Sequence, residues 1–331
     1  MAFHAGLPAS QGGFLGVDIF FVLSGFLITS LLVREHAQRG TIRLGRFYMR
    51  RTLRLLPALL ALVVFLHVWS LWWWPFPEQV RQLRRETAAT LLYVANWAQI
   101  AGYVNPLGLF GHAWSLAIEE QFYILWPLAL RAMLGRLSRS AILAVIAAAA
   151  AASALLRAVL AGNPDSLSRA FHGSDTRAEA LLVGCFLALW LTTPAALAAA
   201  RRSGVTRVLG TAAAVVLALL MTQTSWPADW MLRGGFTLTA LAVALVLLDL
   251  QVSPRSVFAR ALACKPLAAI GRISYGLYLW HQPMFLAFTP ATLAAAPVEV
   301  AVVRFAATFV MATLSWLLVE RFFLRRKQAW S

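Results

Sequence analysis

Acidic residues, lysines and cysteines are all scarce in this 331-residue chain. Asp and Glu together fill 13 positions against 29 for Lys and Arg, and Lys265 and Lys327 are the only lysines. Charged residues of every kind amount to 13%, about half of what a soluble globular domain carries. The two cysteines, Cys185 and Cys264, lie in or beside apolar runs without metal-ligand spacing. They exclude a disulfide framework and give redox chemistry no support. No internal repeat and no long or biased linker marks a second domain, so residues 1–331 read as one unit. The first twelve residues also lack the charged n-region and small-residue cleavage site of a secretory signal.

Apolar sequence is what the chain has in abundance: 60% hydrophobic residues and a mean hydropathy of +0.72. Runs of about 20 apolar residues recur, each long enough to cross ~30 Å of hydrocarbon. The pattern predicts an all-α polytopic membrane protein with about nine spans, at 13–33, 55–74, 113–134, 140–161, 177–195, 204–222, 230–250, 267–288 and 297–319. The net charge of +16 would suggest nucleic acid in a soluble protein. Here the basic residues gather in short loops, as the positive-inside bias requires, and nucleic acid is not an expected partner. Residues 34–54 alone hold seven arginines. With alternating loops, one side collects 19 basic residues and the other 4, which places the C-terminus in the cytoplasm. Residues 75–112 form an external loop, in which 87–100 is too short to span and reads as interfacial or re-entrant. Pro57 falls in the first turn of its span, and Trp72, Trp73 and Trp74 close that span with an aromatic belt. Residues 1–12 then lie outside with no span to carry them there, as though a first helix were missing.

The stretch 114–127, WSLAIEEQFYILWP, sets Glu119 and Glu120 side by side in an apolar run. A carboxylate at membrane depth costs about 2.5–3.5 kcal/mol on insertion scales and normally faces a polar cavity with a task there. On the predicted topology Asp18, Arg177, Glu179 and His281 lie at a similar outer depth, with His4 on the external stub. Ser274, Tyr278 and His281 recur at i, i+4 and i+7, one helical face. Arg51 and Arg54 stand at the inner mouth. Together these residues describe an outer cavity of acids, imidazoles and an arginine, with guanidinium groups suited to phosphate at the other entrance. A His beside a carboxylate is a general-base arrangement. Structural readings stand beside the functional ones: Arg51 and Arg54 as positive-inside anchors, His281 as a core histidine, Asp18 as a helix-entry residue. Arg177 and Glu179, two apart, do not share a face, and each has a reading as partner to another helix. Arg157, Arg233, Arg272 and Arg304 lie near span ends and read as snorkelling.

Five segments, GGFLGVDIFFVLSGFLIT, FYMRRTLRLLPALL, WSLAIEEQFYILWP, TRAEALLVG and GRISYGLYLWHQPMF, taken in order, resemble the bacterial acyltransferase-3 family of integral membrane O-acyltransferases. The resemblance spans essentially the whole chain. It implies a bundle of about ten helices that moves an acyl group, commonly acetyl from acetyl-CoA, onto a hydroxyl of a sugar or glycoside. The family's arginine pair falls on Arg51 and Arg54, as donor-binding residues. Its WSL…E motif includes Trp114 and Ser115 and puts the acid on Glu119, with Glu120 next to it. Its SYxxYLWH motif falls on Ser274, Tyr275, Tyr278 and His281. FHAGLP makes His4 resemble the family's histidine, but the arginine ten residues ahead of it and most of the first helix are absent. A late start codon or a shortened form accounts for that equally well.

The resemblance therefore implies an enzyme of the bacterial inner membrane. Arg51 and Arg54 hold the phosphates of an acyl-CoA, and His4, assisted by Glu119 or Glu120, deprotonates the acceptor hydroxyl. Asp18, Ser24, Trp114, Ser115, Tyr123, Arg177, Glu179, Ser274, Tyr275, Tyr278 and His281 line the cavity. No bound cofactor and no metal is expected. The rival reading is a transporter or flippase that uses the same buried charges as a pathway, although no inverted repeat supports it. A shortened, inactive member of the family is the third.

Overall fold

Alanine and leucine in runs of this length favour helix, and among the described residues every regular element is helical. The computed structural model describes residues 1–331 except 74–75, 203, 226–228 and 328–331, with the backbone alone described at Trp73, Arg202 and Lys327. The chain opens with two 3-10 turns, Phe3–Ala5 and Gln11–Leu15, followed by α1 (Gly16–Arg39) and α2 (Leu44–Trp73). Shorter helices α3 (Pro77–Leu91) and α4 (Ala95–Ile100) lead to α5 (Ala113–Leu134) and α6 (Arg139–Leu160). Then come α7 (Leu167–His172), α8 (Ser174–Leu191), α9 (Pro194–Arg202) and α10 (Gly204–Gln223). A π-helical turn, Met231–Gly235, opens α11 (Phe236–Val252). The rest is α12 (Val257–Leu262), α13 (Lys265–Ala287), α14 (Pro290–Leu293), α15 (Pro297–Ser315), a second π-helical turn at Trp316–Glu320, and α16 (Arg321–Lys327).

Among the described residues, six helical stretches are long and apolar enough to cross a membrane: 11–39, 44–72, 139–160, 204–223, 231–252 and 297–326. The segment containing α8 makes a seventh if it is joined to α9 across a bend of 95°. Helices α5 and α13, with 22 and 23 residues, have the length of a span, roughly 33–35 Å at 1.5 Å per residue. They fall short in apolarity because they carry the polar residues singled out above. The expected total of nine includes these two.

Three boundaries differ from expectation. The arginine-rich stretch 34–54 is mostly helix, with only residues 40–43 between α1 and α2. Arg, Leu and Met are good helix formers, so loss of apolarity there does not end the helix. Pro57 consequently lies well inside α2, where its missing N–H leaves the carbonyl four residues earlier without its helical donor. The short helix expected at 87–100 is two helices, α3 and α4, broken where Tyr93 takes a positive φ of 56°. Of the expected tryptophan belt, Trp72 is exposed, while the Trp73 side chain and Trp74 lie outside the described residues.

Glycine sets how closely the central helices approach. A Cβ on Gly25 of α1 would lie 1.9 Å from the Leu181 carbonyl oxygen of α8, and one on Gly184 would lie 2.1 Å from that of Val22. The two backbones touch with no side chain between them. Contacts advance along both helices together, from Asp18 with Arg177 to Gly25 with Leu181 and Cys185, so α1 and α8 run parallel. Substitution of Gly25 or Gly184 by Val forces the backbones apart. We expect each to destabilise the fold by about 1–3 kcal/mol, read as a lower unfolding temperature in detergent, with Gly271→Ala, where a Cβ meets open space, as a neutral control.

Candidate active site

Three polar clusters gather the residues that the sequence singles out. The first braces α1, α6, α8 and the start of α11. Arg177 Nη2 donates to Asp18 Oδ1 at 2.7 Å, and both side chains are 1% exposed. Two residues further along α8, Glu179 Oε1 lies 2.7 Å from Arg157 Nη1 of α6. Arg157 Nε also donates to the Leu232 carbonyl at 2.9 Å, and its Nη2 donates to Thr237 Oγ1 at 3.0 Å. Phe236 closes the group, its ring centroid 3.9 Å from the Arg177 guanidinium carbon. The reading of Arg157 as a snorkelling residue is therefore corrected: it is 1% exposed and answers a carboxylate that would otherwise stand alone. Asp18, Arg177 and Glu179 are buried between helices, and each takes part in an ion pair. Arg177 and Glu179, on different faces of α8, do pair with different helices.

The second cluster is centred on Glu119 of α5. Its Oε1 accepts from Ser24 Oγ of α1 at 2.5 Å and from Arg51 Nη2 of α2 at 3.2 Å. Tyr123, one turn further along α5, donates its hydroxyl to Ser24 Oγ at 2.9 Å, and the Arg51 guanidinium carbon lies 3.4 Å from its ring centroid. Arg51 thus sits seven residues inside α2 and is bound to the acid, not separated from it at a distant entrance. Glu120 is buried, and its Oε1 has no hydrogen-bond partner. Arg54 is exposed. Tyr275 of α13 donates to the Leu55 carbonyl at 3.1 Å, tying that helix to α2.

Histidines from three distant parts of the chain form the third cluster. His4, on the first 3-10 turn, has its ring centroid 5.3 Å from that of His281 on α13. His112, the residue before α5, lies 5.0 Å from His281 and 5.0 Å from Tyr278. Tyr278 donates its hydroxyl to the His112 carbonyl at 2.5 Å. Its only proton being used there, the 2.7 Å contact with Ser115 Oγ has the serine as donor. His281 Nδ1 lies 2.6 Å from the Tyr278 carbonyl. A carbonyl only accepts, so Nδ1 carries the proton and Nε2 is left as a free lone pair. His112 and His281 are buried, whereas His4 keeps an exposed edge. Burial, with His281 and His4 beside it, pushes the His112 pKa well below the usual imidazole range, so this ring is neutral at physiological pH. Among the described residues, no group of three or more His, Cys, Asp or Glu has a metal-holding geometry.

Two expectations change here. His4 has histidine and phenylalanine for ring neighbours, while Glu119 is committed to Ser24 and Arg51; the expected His–carboxylate pair is not formed. The offset of seven residues along α5 from His112 to Glu119 amounts to about 10 Å, enough to separate them. Ser274 is exposed and bonds the Gly271 carbonyl of its own helix, so it does not join Tyr278 and His281. Trp114 faces His172 and Phe171, at 5.1 and 5.0 Å. His112 escaped the sequence reading because it sits at the edge of a loop. Its signal was its place immediately before WSL, which starts α5 next to the SYGLYLWH helix.

The ion pairs are testable as pairs. Removing one member of a buried pair strands the other, at a cost of about 3–5 kcal/mol. We expect Arg157→Met to lower the unfolding temperature in detergent strongly, and Arg157→Met with Glu179→Leu to recover most of the loss. A double variant as unstable as the single one would show that the arginine's backbone contact, not its charge, matters.

Residues 2–320 match the profile of an acyltransferase domain. The chain is 35% identical over 326 residues to the O-acetyltransferase OatA of Staphylococcus aureus, covering 96% of this chain and 54% of that protein. It is 34% identical over 330 residues to the peptidoglycan O-acetyltransferase OatA of Listeria monocytogenes, covering 97% and 53%. A putative peptidoglycan O-acetyltransferase of Bacillus subtilis, YrhL, is 33% identical over 332 residues, covering 97% and 52%. The chain thus spans about half the length of the curated relatives it matches. No solved structure matches it. The order of motifs, their convergence on three clusters and a match over 2–320 lead to one conclusion: the chain belongs to the acyltransferase-3 family.

Proposed function

We propose that the chain is a membrane O-acyltransferase that moves an acyl group, acetyl in the first instance, onto a hydroxyl of a cell-envelope carbohydrate. The observation that carries this reading is the meeting of His4, His112 and His281 at one point, beside the Tyr278 and Ser115 hydroxyls. His4, the exposed imidazole of the three, takes the proton of the acceptor hydroxyl. His281, held by its Nδ1–H and presenting Nε2, supports the imidazolium that forms. The names of the relatives point to peptidoglycan as the acceptor. Arg51 and Arg54 suit an anionic donor such as an acyl-CoA, with Glu119 positioning Arg51. No observation favours the transporter reading.

The relative directions of the helices support nine alternating spans that include α5 and α13. Contacts of α5 with α1 advance in the same sense, Glu119 to Ser24 and Trp126 to Thr29, as two odd-numbered spans require. Those of α6 with α8 run opposite. Such a bundle sits in a bacterial cytoplasmic membrane with its C-terminus inside and residues 75–112 outside.

The test is acyl transfer by the full chain in membrane vesicles, using labelled acetyl-CoA, a non-nucleotide acetyl thioester and peptidoglycan fragments. We expect His4→Ala and His281→Ala each to lower transfer about 100-fold or more. Arg54→Gln should raise the KM for acetyl-CoA but leave that for the thioester unchanged. Transfer that survives both histidine substitutions would refute the assignment of the base. An equal response to Arg54→Gln with both donors would refute the phosphate contact.

A further inference from the structure

Both ring nitrogens of His112 are buried and lack a hydrogen-bond partner, although the residue is only 8% exposed. A neutral imidazole carries one N–H, and a buried donor without an acceptor is costly. Two hydroxyls stand close by and could have satisfied it, but they are committed elsewhere: Tyr278 to the His112 carbonyl, Ser115 to Tyr278. That carbonyl bond fixes the backbone of His112, and the edge-to-face contacts with Tyr278 and His281, at interplanar angles of 67° and 69°, fix the ring. The side chain is therefore rigid, neutral and unanswered, and the His281 ring it packs on is also the neighbour of the candidate base His4.

Its position adds a second contribution. His112 is the N-cap residue of the 22-residue α5, and the partial positive charge at the start of a helix favours negative charge nearby. A rigid N–H at a helix start, itself buried from water, is an arrangement that stabilises a developing oxyanion.

We propose that His112 donates a ring N–H to the acyl carbonyl oxygen as the tetrahedral intermediate forms, making it a catalytic residue for acyl transfer. The assignment rests on the acyl-transfer reading above. The acceptor oxygen forms a bond to the acyl carbon as its proton passes to His4, and the carbonyl electron pair becomes the oxyanion that His112 binds. Collapse breaks the bond from carbon to the donor's leaving group, which takes the proton back from His4. His112 itself neither gains nor loses a proton.

The experiment compares His112→Leu, His112→Asn and His112→Gln in the full chain in membrane vesicles, by acetyl transfer and by unfolding temperature. We expect His112→Leu to lower kcat about 100-fold or more, with the acceptor KM little changed. One amide variant should recover about tenfold of that loss and the other should not. Asn places its N–H near the position of Nδ1 and Gln near that of Nε2, and only one ring nitrogen can face the carbonyl. Should the leucine variant fail to fold, the contrast between the amide variants decides alone. Full activity in His112→Leu, a loss carried by KM, or two amide variants of equal activity would overturn the assignment while leaving acyl transfer in place. Absence of transfer by the unsubstituted chain would instead overturn the acyl-transfer reading, and this assignment with it.

Discussion

A charge placed among apolar helices has to be answered by a group on another helix, and that constraint organises this molecule. Asp18 with Arg177 joins α1 to α8, Arg157 with Glu179 joins α6 to α8, and Arg51 with Glu119 joins α2 to α5. Because Arg177 and Glu179 stand two residues apart, they point about 200° apart around α8, one toward each neighbour. Helix α8 is thereby pinned on both sides at the same level. The glycines complete the arrangement: Gly25 and Gly184 let α1 and α8 touch, close enough for the short Asp18 side chain to reach its partner. Neither feature suffices alone, since ion pairs this deep contribute little net stability once desolvation is counted. Their main effect is to penalise every packing in which a charge is left unmatched.

The histidine cluster is held differently. Among the described residues it has no ion pair; ring contacts and two hydrogen bonds to backbone carbonyls fix it. Its members come from the 3-10 turn that precedes α1, from the start of α5 and from α13. The positions of α1 and α5 follow from the charged braces, because Glu119 also bonds Ser24. The polar pairs thus set the frame, and the imidazoles meet where that frame brings helix ends together. This division suits chemistry that needs neutral rings. A carboxylate in contact with His4 or His112 would favour their charged forms, and the nearest acid of α5 is tied to an arginine instead.

Much of this was legible in the residues. Polar side chains inside apolar runs are costly, so Asp18, Glu119, Arg177, Glu179 and His281 stood out, and all of them do make buried contacts with other helices. Which partner each one takes was not legible, because pairing depends on how helices cross rather than on spacing along the chain. Arg157 shows the difficulty: near the end of a span, a long basic side chain can reach water or turn inward, and the local sequence is the same in both cases. Only Glu179, brought opposite by α8, decides it. The start of α2 was misplaced for a related reason. Hydropathy marks where lipid contact ends, whereas a helix rich in arginine continues as long as its backbone bonds are made. His112 lay in a polar loop, where a histidine is ordinary; its meaning arises from the two rings that pack on it.

The separation of the clusters along α5 has a mechanistic consequence. Glu119, which pairs with Arg51, stands about 10 Å from His112 along α5. A donor whose anionic part is held near Arg51 can reach the imidazoles only through an extended acyl-bearing arm. A compact acyl phosphate could not satisfy both ends. On the acyl-transfer reading proposed above, this spacing favours a long-armed donor, with the histidines acting where the arm ends.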